Sequence, residues 1–171
     1  MRRNGFSLVE LVVVIAVMIT LMAIGGLVYS KMTRKTGIES QVKAMYADLM
    51  TARSQALYRK SCRYVTMAGT QFSVYTSSSC GATAPTTGAI VQKTLKYGLT
   101  SNITDSICFD WRGVANRVNS TNTDMSGTYK AICVQPNDPN LLTSIVVSAT
   151  GIQMGRLSAG GACNSVNITI Q

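Results

Sequence analysis

The first sixty residues divide into two stretches with different hydrophobic patterns. Leu11 to Ser30 comprises twenty residues without a formal charge and is apolar on every side of a helix, which is typical of a membrane span or a buried filament core. From residue 31 the pattern becomes amphipathic, with apolar side chains spaced three and four apart. These are Ile38, Val42, Met45, Leu49, Ala52 and Ala56. Because no proline interrupts them, the two stretches predict one helix from Phe6 to about Arg59, with its amphipathic half packed on a domain.

Beyond residue 60 the pattern changes to short β-prone runs separated by turn residues. Hairpins are predicted at 63–67 with 71–75 and at 142–148 with 152–157, further strands at 89–97, 106–111, 128–135 and 165–170, and loops at 76–88 and 115–127. The expected fold class is α+β, with a long N-terminal helix packed on a small, mostly antiparallel β domain.

Composition narrows the range of functions. The chain has 171 residues, a net charge of +9 and no histidine. Without histidine for general base chemistry, and with acids that follow no recognisable spacing, we expect no enzyme, no cofactor and no metal site. The positive charge is compatible with nucleic acid, anionic lipid or acidic protein partners, or with an ordinary basic surface.

The residues ahead of the apolar run form an unusual combination. Arg2 and Arg3 precede Gly5-Phe6, and a lone acid, Glu10, follows at the mouth of the helix. A secretory signal has its small-residue cleavage site after the apolar core, whereas here the glycine comes before it. The pattern resembles the class III signal of type IV pilins and type II secretion pseudopilins.

That resemblance implies a processing site and an assembly residue. A prepilin peptidase cuts after Gly5 and methylates the new N-terminal Phe6, and Glu10 pairs with the Phe6 amine of a neighbouring subunit during filament assembly. The implied segments are a cleaved leader at 1–5, a transmembrane and filament-core helix at 6–30, its amphipathic continuation at 31–60, and a globular β domain at 61–171. The implied partners are other pilin or pseudopilin subunits, the peptidase and the inner membrane.

The expected membrane orientation and the presence of five cysteines both indicate an oxidising compartment for the β domain. Arg2 and Arg3 hold the leader on the cytoplasmic side, which places the β domain in a periplasmic or extracellular compartment where disulfides form. Five cysteines allow fifteen arrangements of two disulfides and one remaining thiol. The predicted strands favour Cys62–Cys80 and Cys108–Cys133, which leaves Cys163, and the alternative is a set of buried thiols in a reducing environment.

Further residues narrow the resemblance to the GspH/FimT (FimU-like) branch of minor pilins. They are Ala52 to Ala56, Tyr64 to Met67, Phe109 to Gly113, and a late strand–turn–strand unit about Ala149 to Gly151. Some members of that branch bind DNA through a Gly-Arg-x-Arg motif. Here Gly151 to Met154 lacks both arginines, and only Gly155-Arg156 keeps one. Arg156, Arg112 and Arg117 are the candidate DNA contacts.

Three functions therefore remain in view. The first is a structural subunit that primes or joins a type IV pilus or a type II secretion pseudopilus. The second is a pilus-tip subunit that binds DNA for uptake in natural transformation. The third is a plain single-pass membrane protein with an outer β domain. Processing at Gly5 separates the first from the third.

Overall fold

The computed structural model describes residues 7–81, 83–102, 106–118, 129–136 and 138–171, without the side chains of 24–28 and 117. The chain divides into two compact units, Met1–Gly37 and Ile38–Gln171. The N-terminal unit consists of the start of the long helix, and the second unit contains the rest of that helix and every strand.

The helix α1 spans Leu8–Arg59. It ends where the sequence predicts, while Phe6, the predicted first residue, lies outside the described residues. Two features explain the end of the helix. Arg59 places a positive charge in the last turn, where the helix dipole favours it. Lys60 then adopts a left-handed conformation with φ of 52°, which stops the helical hydrogen-bond pattern.

Within the first unit, the described apolar side chains are exposed. No helix within the described residues is both apolar enough and long enough to span a membrane. Gly25 and Gly26 lie in the stretch 24–28, which has helical backbone. Each glycine disfavours a helix by about 1 kcal/mol relative to alanine, so the sequence predicts a local weakness of α1 at this pair.

In the second unit, the amphipathic stripe of α1 is buried as its spacing predicts. Exposure falls to 3% or less for Ile38, Val42, Met45, Leu49, Ala52 and Ala56. These side chains form one core with apolar residues of both sheets, such as Val65, Phe109 and Ile145. Burial of apolar surface at about 25 cal/mol per Å² makes this core the main stabilising contribution.

Within the ranges that the structure describes, ten strands form two five-stranded antiparallel sheets. Sheet A has the order β3-β2-β1-β5-β6, and sheet B has the order β10-β9-β8-β7-β4. The strands are β1 Cys62–Ala68, β2 Gln71–Ser77, β3 Val91–Thr94, β4 Leu99–Ser101, β5 Ser106–Phe109, β6 Ala115–Val118, β7 Lys130–Val134, β8 Ser144–Val147, β9 Ile152–Leu157 and β10 Ile168–Ile170. The predicted α+β class is confirmed.

Three local expectations were wrong. Residues 115–118 were expected in a loop but form β6, since Ala115 and Val118 are buried on either side of a polar pair and the strand closes a tight hairpin on β5. The short strand β4 was not expected, and it pairs with β7 at the edge of sheet B. The run 165–170 begins as a 3-10 helix, Ser165–Asn167, because the Asn164 side chain accepts a hydrogen bond from the Asn167 N–H.

Each sheet packs one face, here called its inner face, on α1, and turns an outer face away from it. Alternation along β1 and β5 places Val65, Ile107 and Phe109 on the inner face of sheet A, and Tyr64 and Cys108 on its outer face. In sheet B, Ile132 and Val134 are inner residues, whereas Ala131 and Cys133 lie in a separate outer cluster. The cysteines of the strands therefore face away from the helix.

Polar contacts fix α1 against the domain at three levels. Gln41 exchanges two hydrogen bonds with the backbone of Tyr97, at 2.8 and 2.9 Å. Asp48 pairs with Lys93 of β3 at 2.7 Å. Near the end of the helix, Arg53 Nε donates to the Gly113 carbonyl at 2.9 Å. These bonds hold the helix in register with both the β2–β3 side and the β5–β6 turn.

Candidate functional site

The largest exposed apolar surface belongs to the N-terminal apolar segment, defined as residues 8–23 of α1. Leu8 is 78% exposed and Met22 is 75% exposed. The other large side chains of this segment that stand in solvent are Val9, Leu11, Val12, Val13, Val14, Ile15, Val17, Met18, Ile19 and Leu21. They point in all directions around the helix, so one docking face cannot cover them. An exposed apolar surface of this extent marks an interaction site.

Glu10 is the only ionisable side chain in this segment. It lies in the first turn of α1, where the unpaired N–H groups and the helix dipole favour a carboxylate. Ser7 precedes the helix and accepts hydrogen bonds through its carbonyl from the N–H groups of Glu10 and Leu11, at 3.1 and 3.2 Å. The Ser-x-x-Glu spacing is that of a capping box.

No described residue forms an ion pair with Glu10. Gly5 and Phe6, the predicted cleavage and methylation residues, lie outside the described residues, so the structure does not place them relative to Glu10. The carboxylate stands at the beginning of an apolar helix.

The outer face of sheet A carries a trio of cysteines. Sγ of Cys80 contacts Sγ of both Cys62 and Cys108, and the three sulfur atoms lie within 4.8 Å of one another. A sulfur atom forms a single disulfide bond, so the trio holds one disulfide and one further sulfur. The pairing Cys62–Cys80 favoured by the sequence is one of the two arrangements that this geometry allows.

The predicted pairing of Cys108 with Cys133 was wrong. Cys133 bonds Cys163, and Cys163 is therefore not the cysteine left over. The reason lies in the two outer faces: Cys108 faces outward from sheet A and Cys133 faces outward from sheet B. The alternation of Ile107 and Phe109 about Cys108, and of Ile132 and Val134 about Cys133, places both cysteines away from the core. The sequence pattern does not reveal that the two strands belong to different sheets.

The residues from Phe109 to Gly113, which carried part of the family resemblance, form a tight turn that is held by hydrogen bonds to Asp110. The Asp110 carboxylate is buried and accepts hydrogen bonds from the N–H groups of Arg112 and Val114, each at 2.9 Å. Its other oxygen pairs with the Arg112 guanidinium at 2.9 Å. Gly113 completes the turn with φ of 75°, a conformation that favours glycine. This network fixes the β5–β6 hairpin and leaves Trp111 projecting outward.

Trp111 is half exposed, and two cations lie close to its ring. Lys60 Nζ and the Arg112 guanidinium carbon each lie 5.7 Å from the Trp111 ring centroid. Such cation–π contacts hold the ring upright at the surface. Sequence analysis singled out Arg112 but missed Lys60, because fifty residues separate the lysine from the tryptophan in the chain and only the fold brings them together.

The three arginines proposed to contact DNA are not gathered on one sheet. Arg112 lies in the β5–β6 turn of sheet A, paired with Asp110. Arg117 lies in β6, and its side chain is outside the description. Arg156 is exposed on β9 of sheet B. With the Gln171 amide oxygen facing it, Arg156 donates two hydrogen bonds to that oxygen, at 3.0 and 3.1 Å.

Comparison with known proteins agrees with this geometry. Residues 1–26 match the family described as the prokaryotic N-terminal methylation motif. A comparison with curated protein sequences finds no match. A long N-terminal helix followed by antiparallel sheets is the arrangement of the pilin fold class.

Within that class, the structure is similar to the type IV minor pilin FimU of Pseudomonas aeruginosa. The similarity has a TM-score of 0.52 and 14% sequence identity, and it covers 72% of this chain and 91% of that one. At this identity the likeness establishes the pilin fold.

Proposed function

We propose that this chain is a minor pilin or pseudopilin, a structural subunit that primes or joins the assembly of a type IV pilus or a type II secretion pseudopilus. The single observation that carries the proposal is the N-terminal apolar segment with its lone acid. A helix that is apolar on every side and carries one carboxylate in its first turn suits two successive environments, a bilayer and a bundle of identical helices.

Before assembly, the apolar run anchors the chain in the inner membrane. Arg2 and Arg3 remain on the cytoplasmic side and the β domain lies beyond the outer leaflet of that membrane. The disulfides support this placement, because they persist in oxidising compartments and are rare in the cytosol.

During assembly, Glu10 supplies the specific contact. Cleavage after Gly5 frees the Phe6 amine, and the amine of one subunit pairs with the Glu10 carboxylate of its neighbour. An unpaired carboxylate in hydrocarbon costs several kcal/mol, so each incoming helix gains by bringing its acid to a free amine. The pair fixes the axial offset between neighbouring subunits. The apolar side chains stabilise the bundle but do not select one offset.

Substitution of Gly5 by valine tests the processing step. A side chain at this position blocks close approach of the peptidase to the backbone, so Gly5→Val is expected to accumulate as uncut precursor. Intact-mass measurement of membrane-extracted protein is the readout: wild type begins at methylated Phe6, and the variant retains residues 1–5.

Asn4→Ala is the matched control, since it changes the neighbouring residue and leaves the glycine in place. It is expected to be cut like wild type. Wild-type protein that still carries Met1 to Gly5 in the membrane contradicts the proposal and favours the plain single-pass membrane protein.

A second candidate function, DNA binding at the filament surface, is favoured by the cluster of Trp111, Lys60 and Arg112, here called the Trp111 cluster. An exposed aromatic ring flanked by two cations offers a stacking surface and phosphate contacts together. Binding of a fluorescent single-stranded oligonucleotide by the full chain in neutral detergent should weaken steeply as salt rises. Trp111→Ala should weaken it by about tenfold or more, since stacking contributes about 1–3 kcal/mol per base.

Tyr129→Ala is the control for this second candidate, because it removes another half-exposed aromatic ring outside the cluster. Equal affinity in wild type and Trp111→Ala, or affinity that does not depend on salt, excludes the cluster as a DNA site.

A further inference from the structure

A cavity of about 590 Å³ opens beside the C-terminal end of α1, over one end of β1, β2 and β3. Two arginines line it, Arg59 from the last turn of α1 and Arg63 from β1. Polar side chains complete one part of its wall, and Val91 at the start of β3 forms another part. The polar residues are Gln55, Ser61 and Thr76. The cavity lies entirely within the second unit, at a distance along the chain from the N-terminal apolar segment.

Arg63 occupies an unusual position for an arginine. It stands in β1, the central strand of sheet A, opposite Thr76 of β2 and Phe109 of β5. Alternation places it on the inner face with Val65, beneath the end of α1. Only 2% of the residue is exposed. A positive charge thus lies beneath the end of the helix, next to the half-buried and exposed side chains that line the cavity.

The Arg63 guanidinium has no partner among the described residues. Its Nε is buried and makes no hydrogen bond, and no carboxylate forms an ion pair with it. Burial, and then the positive charge of Arg59, lower the pKa of Arg63 below its ordinary value. Burial removes water from the charged guanidinium and Arg59 adds like-charge repulsion, so both effects disfavour the protonated form.

The chain itself offers little to correct this imbalance. It has 16 basic residues and 7 acidic ones. Asp48 pairs with Lys93 and Asp110 pairs with Arg112, so these two carboxylates are already engaged with other cations. A buried charge without a partner is strongly destabilising, whereas a buried pair with satisfied hydrogen bonds is tolerated. None of the described carboxylates pairs with Arg63, so an anion that enters the cavity can supply its partner.

We propose that this cavity binds a carboxylate, which the Arg63 guanidinium holds with the help of Arg59. The fork of N–H donors on an arginine matches the two oxygens of a carboxylate, and charge-assisted bonds of this kind are about twice as strong as neutral ones. Ser61 and Thr76 offer hydroxyl donors beside the arginines. Ile90 and Val91 form an apolar wall that suits the hydrocarbon part of the ligand.

Two sources can supply this carboxylate. One is an acidic side chain of a neighbouring protein chain, which in an assembled filament is another subunit, and this source rests on the proposed function. The other is a small free carboxylate. The site itself does not depend on filament assembly, and purified full-length protein in a neutral detergent suffices to test it.

The experiment compares sodium acetate with sodium chloride at equal ionic strength. Acetate is expected to raise the melting temperature and to shift the NMR signal of the Arg63 Nε–H, whereas chloride does neither. Arg63→Met should weaken acetate binding by about tenfold or more, since a hydrogen bond to a charged group contributes about 1.5–3 kcal/mol. Without acetate, the same variant should melt at or above the wild-type temperature, because it removes an unpaired buried charge.

Matched variants keep the test decisive. Lys43→Met removes one positive charge from the exposed side of α1 and should retain the full acetate response. Arg59→Met changes an exposed residue, folds without repacking the core, and should reduce the acetate response even where Arg63→Met fails to fold. The proposal is overturned if acetate raises the melting temperature no more than chloride does. It is also overturned if the acetate response persists in both Arg63→Met and Arg59→Met. Phosphate binding in place of acetate likewise overturns it.

A second titration separates the two sources. N-acetyl-aspartate amide presents a side-chain carboxylate in its peptide setting, and N-acetyl-asparagine amide is the same molecule with that carboxylate neutralised. If N-acetyl-aspartate amide binds about tenfold more tightly than acetate, the result supports the proposal and identifies a protein chain as the source of the carboxylate. Equal affinities support it with a small carboxylate as the ligand. Equal binding of the asparagine amide contradicts carboxylate recognition.

Discussion

Replacing Glu10 by alanine is expected to remove the chain from assembled filaments while leaving its abundance in the membrane unchanged. The substitution eliminates the one ionisable group of the N-terminal apolar segment. The Phe6 amine of the neighbouring subunit then enters the bundle without a partner, and breaking a buried pair in this way costs about 3–5 kcal/mol. A cost of that size lowers the incorporation of a subunit by a factor of roughly a hundred or more.

The measurement is the ratio of this chain in sheared filaments to the chain in membranes, by quantitative mass spectrometry. Glu10→Gln should behave like Glu10→Ala, because the amide keeps the shape of the side chain and loses its charge. Glu39→Ala is the control: it removes a carboxylate from the same helix outside the apolar segment and should assemble normally. Normal incorporation of Glu10→Ala contradicts the pairing mechanism, whatever the outcome at Gly5.

Removal of the Cys133–Cys163 disulfide is expected to lower the free energy of unfolding of the β domain by about 3–4 kcal/mol. The bond closes a loop with a sequence separation of 30, and this figure follows from the loop-closure entropy returned to the unfolded chain. The double variant Cys133→Ala with Cys163→Ala avoids leaving a lone thiol. Denaturant unfolding followed by tryptophan fluorescence reports the change, since Trp111 is the chain's one tryptophan.

Cys108→Ala is the matched control for this loss. It removes an equally buried sulfur and leaves Cys62 and Cys80 to bond each other, so a smaller change of about 1 kcal/mol is expected. If the double variant has the same free energy of unfolding as wild type, the Cys133–Cys163 bond has no stabilising role.

The parts of the fold that the sequence predicted are those with a strong local period. The stripe from Ile38 to Ala56 repeats at helical spacing, and burial on one side of the helix follows directly from that spacing. The hairpins about Gly69 and Gly151 were predicted because turn residues separate two β-prone runs of similar length. In these places the local preference and the tertiary packing favour the same structure.

The parts that were missed depend on contacts between distant residues. β6 is short and half polar, and only its pairing with β5 makes it a strand. The cysteine pairing depends on which sheet each strand joins, and the order β3-β2-β1-β5-β6 separates Cys108 from Cys133 in a way that no local pattern reveals. The Arg63 cavity has the same origin, because β1, β2 and α1 meet there only in the folded domain.

The lengths of the outermost strands have a consequence for the proposed filament subunit, in which many copies would lie side by side. Sheet A is bordered by β3 and β6 and sheet B by β4 and β10, and these four strands are only three or four residues long. An unpaired border strand is a template for the backbone of another molecule, and shortness is one of the ways in which natural sheets avoid this. Neighbouring domains can thus make contact without pairing their edge strands into amyloid-like stacks. Association then depends on the helix.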